Sequence, residues 1–447
     1  VPRLKTIALL LTALCPAALT AQSAGRIDYT TYTLANGLRV VLAPVRTTPI
    51  VTVNVWYHVG SGSEHARRSG FAHLFEHMMF QGSAHVKKAE HFQLVSRAGG
   101  NENGSTTEDR TNYFETLPSN RLNLGLWLEA DRMRSLAITQ ENFENQRQAV
   151  KEERRLRVDN QPYARAIQDA FTMPFDSTGC FAYAHTVIGD MADLDSARLE
   201  DVQAFFNAFY TPSNAVLTIA GDFDEAEARR LIEQDFGDIA SRPPQPQPTC
   251  DFRLGTGARR LEVTDQNANL PAVVFVYKFP PHNDADSPAL DLLSTIVGGG
   301  ESSRLNRRVV REERAALGAG AFSNQHRSAG VGLYFGIANQ GVSPARLDTL
   351  LNQEVDRLRA DTALEGELQK ARNQYRTGAI RSRQTTMGIA ETLQGALRFE
   401  GDLESANTEL DRYMAVTVAD LHRVAQRYLA PENRLTLVIN PPARGSN

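Results

Sequence analysis

Cysteine is scarce in this chain: three occur in 447 residues, and none sits in a C-x-x-C pair. A thiolate metal cluster is therefore excluded, since Cys15 falls in the N-terminal segment and only Cys180 and Cys250 remain. Those two can pair in an oxidising compartment or stay as separate buried thiols. Charge of one sign is lacking too. The net charge is -4, and Lys and Arg are scattered, so nothing supplies the basic stripe that nucleic acid requires. No Gly-rich turn links a strand to a helix, which removes a dinucleotide fold. Long apolar runs are absent after the first residues, so no stable membrane insertion is expected.

Composition is otherwise that of a globular protein, 42% hydrophobic and 22% charged, and the length exceeds what one core usually organises. Residues 1–23 read as a signal peptide: Arg3 and Lys5 precede an apolar run over 7–14, and Ala21 and Ser23 place small residues where a signal peptidase reads. Cleavage is expected after Ser23, with Ala21 as the second choice. A membrane anchor is the competing reading, but Pro16 breaks the run well short of the ~20 residues a bilayer span needs. Export to the periplasm is the expected localisation.

Four prolines in residues 241–250 mark an extended linker near the middle of the mature chain. An ungapped similarity relates residues 201–219 to 420–438 at an offset of 219, with Asp201, Pro212 and Asn214 recurring as Asp420, Pro431 and Asn433. Each copy reads as a helix, a proline turn and an apolar strand. Strand-like runs at 38–42 and 52–58 alternate with amphipathic helices at 121–134 and 367–381, an α+β pattern. We expect two structurally similar domains from an internal duplication, at 24–240 and 251–447, each a mainly antiparallel sheet packed with helices.

The chemistry concentrates in residues 70–82. On a helix, His73 and His77 lie four residues apart and project from one face, as two ligands of a single ion must. Glu76 neighbours both without having to ligate. Such an ion would polarise an amide carbonyl and acidify a water, while Glu76 takes the water's proton as general base and delivers it to the leaving amine. A third ligand is required. In the charged helix 141–155, Phe143, Gln146, Val150 and Glu153 share a face, which places Glu153 on the buried side and turns Glu152 about 100° away, towards solvent.

His73-x-x-Glu76-His77 followed by Glu153, 76 residues after His77, resembles the inverted-motif zinc peptidases that include pitrilysin, insulin-degrading enzyme and mitochondrial processing peptidase. The resemblance extends over nearly the whole mature chain, through 34–38, 99–118 and 298–305. It implies one Zn2+ per chain held by His73, His77 and Glu153, a second domain of like fold without metal, and a zinc endopeptidase or oligopeptidase acting on short or unfolded peptides. It also implies that Asn103 and Gly104 pair with the substrate backbone as an added strand.

Three positions depart from the family pattern. Gln146 stands where many relatives have a glutamate supporting the ligands. Asn103-Gly104 replaces the usual Asn-Ala. Arg311 matches a substrate-binding arginine, but the tyrosine expected seven residues later is Gly318. An oxyanion donor is commonly worth roughly 10² to 10³ in rate. The resemblance therefore implies a heterodimer with a half-length companion homologue that supplies Arg and Tyr, with a homodimer as second choice. The rival reading is a catalytically silent scaffold or chaperone-like subunit, which the intact set His73, Glu76, His77 and Glu153 disfavours. The histidines outside the motif, His58, His65, His85, His91 and His185, are expected to be structural or solvated.

Overall fold

The computed structural model describes residues 25–250, 253–254, 257–361 and 364–443. The signal-peptide reading of residues 1–23 lies outside them. Among these residues, eleven strands form two sheets. The first contains β1 (Thr30–Thr33), β2 (Arg39–Pro44), β3 (Ile50–Tyr57), β4 (Asn101–Thr106), β5 (Thr111–Pro118) and β6 (Ala215–Gly221), in the order β1-β2-β6-β3-β5-β4. The second contains β7 (Arg259–Thr264), β8 (Ala272–Phe279), β9 (Ala316–Gln325), β10 (Gly330–Ala338) and β11 (Arg434–Asn440), in the order β7-β11-β8-β10-β9.

Apart from β1, the two sheets have the same topology. β2 runs parallel to β6 as β7 does to β11, and every other neighbouring pair is antiparallel. The repeat at an offset of 219 maps helix Leu199–Phe209, the turn Pro212–Asn214 and β6 onto helix Val418–Tyr428, the turn Pro431–Asn433 and β11. The repeated Asn holds the turn in both copies: Asn214 Nδ2 donates to Phe209 O at 2.9 Å, and Asn433 Nδ2 donates to Arg427 O at 2.9 Å. The fold is thus α+β, two sheets each packed with helices.

Each sheet buries one face against helices of its own half. In the first, Val51, Val53 and Val55 of β3 meet Leu74, Phe75, Leu126 and Met133. The outer faces are covered reciprocally. Helix Thr386–Gly395 of the second half lays Ile389 and Leu393 on Val41, Ala43 and Val216 of the first sheet. Helix Ala164–Thr172 of the first half sets Ala166 and Ala170 in the apolar cluster with Val274, Val276 and Leu333 of the second. Polar residues on the covered face of β3 find partners across this junction, Thr52 with Thr386 at 2.7 Å and Asn54 with Glu391 at 2.7 Å. A buried polar group without such a partner would cost about 1–3 kcal/mol. Cys180 and Cys250 are joined in a disulfide, with Cα atoms 4.6 Å apart, which settles the alternatives left open by the sequence.

Among the described residues, no helix is long and apolar enough to cross a membrane.

Candidate active site

Helix α1 (Phe71–Met78) starts from Gly70 in a left-handed conformation, φ 86°. Its N-terminal amides are capped by the buried Glu64, whose carboxylate accepts from Gly70 N and Ala72 N at 2.8 Å each. His185 bonds the same carboxylate at 3.0 Å. A negative group at a helix N-terminus satisfies orphan donors and complements the helix dipole. Gly70 and Gly189 abut so closely that a Cβ on Gly189 would lie 2.4 Å from Gly70 Cα. This contact brings residues 186–188 against the helix as one wall of a cavity.

α1 presents His73 and His77 side by side, their rings 4.9 Å apart and edge to face. After helices α2 (Glu90–Arg97) and α3 (Leu122–Ser135), helix α4 (Gln140–Arg154) begins at Thr139, whose hydroxyl accepts from Asn142 N at 3.2 Å, and packs along α1. Its apolar face buries Phe143 and Val150 as the spacing requires. Glu153 therefore reaches the histidines, while Glu152 stays 56% exposed. Glu153 Oε2 lies 3.2 Å from His77 Nε2 and 3.6 Å from His73 Nε2. Ligands about 2.0–2.1 Å from a tetrahedral zinc ion stand about 3.3–3.4 Å from one another. Two imidazole nitrogens and one carboxylate oxygen converging at these separations fit that ion.

Burial holds the His73 ring well below its ordinary range, at about 4, with His77 adding to the effect and Glu153 opposing it. The imidazole is accordingly neutral near pH 7, the form that ligates a metal. Burial moves Glu76 in the other direction, upwards, against a hydrogen bond from Thr106 and the nearby His77. The Thr106 hydroxyl donates to Glu76 Oε2 at 2.7 Å, so Oε1 is left for the cavity.

The cavity, about 700 Å³, is lined by His73, Glu76, His77 and Glu153 together with Asn103 and Gly104 of β4. β4 is an edge strand, paired among the described strands with β5 alone, and its Gly104 N donates to the side chain of Asn103 at 2.9 Å, a bond that an added strand would replace. A Cβ on Gly104 would lie 3.2 Å from Glu76 Cγ, so a glycine here lets the strand lie against the carboxylate.

Residues 39–174 match the sequence profile of Insulinase (Peptidase family M16), and residues 196–375 match that of the Peptidase M16 inactive domain. The zinc protease PqqE of Helicobacter pylori is 30% identical over 416 residues, 92% of each chain. The chain belongs to peptidase family M16. A crystal structure of a protease from Helicobacter pylori has the same fold as this M16 chain at a TM-score of 0.88 and 29% identity, covering 93% of this chain and 100% of that one. The periplasmic protease PqqL from Escherichia coli shares the fold at a TM-score of 0.69 and 19% identity, and the match covers 93% of the M16 chain but 48% of PqqL.

The remaining positions singled out in the M16 sequence lie apart from the cavity. Gln146 is buried on the predicted face, but its amide donates to Asn145 Oδ1 at 2.7 Å rather than to a ligand. Arg311 sits on the helical turn Asn306–Glu312, exposed, and pairs with Glu301 at 2.8 Å. Gly318 lies on the second sheet's edge strand β9, with open space where a side chain would begin.

Other residues at the site escaped the sequence reading. Arg157 pairs with Glu153 Oε1 at 2.8 Å, and its spacing of four residues was a usable signal. Thr106 alternates with Gly104 along β4, so strand periodicity alone would have turned it to the same face. Phe171, Val187 and Ile188, which give the cavity its apolar wall, come from loops and a helix end whose approach no local pattern encodes.

Proposed function

We propose that the chain is a zinc-dependent endopeptidase or oligopeptidase that hydrolyses short or unfolded peptides. The convergence of His73, His77 and Glu153 beside a carboxylate that is itself held by a strand-edge hydroxyl is the observation that carries this reading. His73, His77 and Glu153 hold one Zn2+. When bound, the ion supplies a Lewis acid that polarises the scissile carbonyl and acidifies a neighbouring water.

Asn103 and Gly104 of the open edge of β4 align an extended peptide by backbone hydrogen bonds across the donor cluster. Glu76, steadied through Oε2, takes a proton from the attacking water at Oε1 and returns it to the leaving amine. The apolar wall of Phe171 and Ile188 receives a side chain of the peptide. A cavity of about 700 Å³ admits a stretch of extended chain and keeps a folded domain out.

The division into a metal-bearing half (24–240), a proline-rich linker (241–250) and a second half (251–447) belongs to the same reading. So does a companion subunit. Gly318 offers no hydroxyl, Arg311 is engaged by Glu301, and the match covers only 48% of PqqL, so about half of that protein has no counterpart in this chain. We propose a heterodimer with a half-length homologue supplying Arg and Tyr, acting in the periplasm.

The test is zinc content and peptide hydrolysis of the purified chain and of Glu76→Gln, each with and without a homologue of this length. Zinc in both proteins with hydrolysis only in the unmodified chain, raised by the homologue, is the expected result. Neither zinc nor hydrolysis in any mixture would rule out the peptidase.

A further inference from the structure

Beneath the substrate edge lies a second cluster of titratable groups. It runs from Glu102 of β4 to His91 of α2, on to Glu115 of β5, and then to Arg132 and Glu129 of α3. His91 Nδ1 bonds Glu102 Oε2, and His91 Nε2 lies 3.7 Å from Glu115 Oε1. Arg132 Nη2 donates to Glu115 Oε1 at 3.3 Å, and Arg132 Nε donates to Glu129 Oε2 at 2.9 Å. The side chains of His91, Glu102, Glu115, Glu129 and Arg132 are at most 4% exposed. The only other groups of this kind on the helix of His91 are Glu90 and Arg97 at its ends.

The arrangement differs from the zinc-type cluster. His73 and His77 turn the same nitrogen, Nε2, towards one carboxylate oxygen. His91 instead turns opposite edges of its ring to two carboxylates: Nδ1 bonds Glu102, and Nε2 stands 3.7 Å from Glu115 without a hydrogen bond. The three residues can also offer one ligand atom each within 4.8 Å of one another, so metal at this cluster is the competing outcome of the experiment below.

Three buried carboxylates face one guanidinium, and uncompensated buried charge is strongly unfavourable. Burial pushes Glu115 up, to about 7, against the pull of Arg132 and His91, so a proton on Glu115 relieves this excess below neutral pH.

Glu102, Gly104 and Thr106 alternate on one face of β4. The same strand is therefore tied to His91 at one position, lies against Glu76 at the next and bonds Glu76 at the third. We propose that His91, bonded to Glu102 and set beside Glu115, is the positioning residue that fixes edge strand β4 for peptide pairing. This inference rests on the peptidase reading above. Losing the proton of Glu115 leaves like charges on adjacent strands, Glu102 directly opposite Glu115, and loosens the substrate edge at its Glu102 end.

The experiment measures steady-state hydrolysis of an unstructured fluorogenic peptide from pH 6 to 9 by the zinc-loaded chain, with its companion where one is needed. The variants are His91→Phe, His91→Gln and Glu102→Gln. In the unmodified chain KM rises as pH passes through neutrality while kcat changes little. His91→Phe raises KM about tenfold at pH 6.5 and removes its pH dependence, and His91→Gln, which keeps a donor for Glu102, recovers part of the loss. Glu102→Gln keeps the fold if His91→Phe does not, and it too flattens the KM profile.

Hydrogen-exchange protection of residues 101–106 is read in parallel, because it reports the strand even if no hydrolysis is found. Protection in the unmodified chain is expected to fall across the same pH range, and in the variants it does not. A folded His91→Phe or Glu102→Gln protein with unchanged KM, pH profile and protection overturns the proposal. So does a second equivalent of bound metal that disappears in His91→Phe. Failure of zinc binding and hydrolysis with intact pH-dependent protection would instead sink the peptidase reading alone.

Discussion

The hydroxyl of Thr106 on the edge strand donates to Oε2 of Glu76 on the metal-type helix, 2.7 Å away. It joins the strand expected to carry substrate to the carboxylate expected to move the proton. Because one oxygen is already bonded, the orientation of the other is set before any peptide arrives, which is how positioned groups lower a barrier without rearrangement.

Removing that bond has a measurable cost. Thr106→Val is expected to lower kcat about tenfold with zinc content unchanged, and Thr106→Ser to restore most of it, whereas Glu76→Gln loses roughly 10² to 10⁴. Kinetics alongside metal analysis on the three proteins checks this. Loss of zinc in Thr106→Val would contradict it.

Glu64 anchors the same helix from its other end. Glu64→Ala strands the amides of Gly70 and Ala72 and leaves His185 without its carboxylate, so we expect unfolding stability to fall by about 3 kcal/mol. Zinc affinity should fall with it, read by competition with a chromogenic chelator. Chemical denaturation supplies the stability value, and a change below about 0.5 kcal/mol, typical of a surface site, would refute the anchoring role.

The contact between Gly70 and Gly189 leaves no room for one added methyl. Gly189→Ala combines a left-handed φ of 78° with backbone atoms 2.4 to 2.7 Å from the new Cβ. A destabilisation of at least about 2 kcal/mol is expected, from strain and from displacement of the cavity wall. Calorimetry of the variant against Gly179→Ala, where the nearest atom to the new Cβ is a side-chain oxygen 3.8 Å away, isolates the effect.

His58 predicts a pH dependence of stability. Burial, together with Arg398, Arg327 and Arg39, lowers it from 6.5 to about 3, so the folded chain holds the ring neutral while the unfolded chain protonates it. Its contribution is present above pH 6.5 and is lost as pH falls towards 3, by up to about 1.4 kcal/mol per pH unit. Urea midpoints between pH 7 and 4 should fall less steeply in His58→Gln than in the unmodified chain. Parallel slopes would remove His58 from the account.

Much of this organisation is legible in the amino-acid sequence. The metal-type triad could be read because both of its helices advertise their faces: the spacing of His73 and His77 on one, and of Phe143, Gln146, Val150 and Glu153 on the other. The duplication could be read because the Asn of each proline turn bonds back to the preceding helix, so the same residue is required twice. What stayed hidden depends on distant chain. Thr52 and Asn54 look like solvent-facing positions of a half-buried strand until helix Thr386–Gly395 covers them. The sequence marks His91 as structural or solvated, and nothing near it announces Glu115 or Arg132. Nor do two cysteines 70 residues apart reveal their approach.

That last pairing changes what the proline-rich stretch can do. A tether between two halves would ordinarily be the weak seam, where one cut frees the pieces. Here Cys250, at the far end of the stretch, is bonded back to Cys180 in the first half. Cleavage anywhere between them would give two fragments on a reducing gel and a single covalent species on a non-reducing one. Separating the halves would take a reductant as well as a protease, together with the opening of the faces they cover for each other.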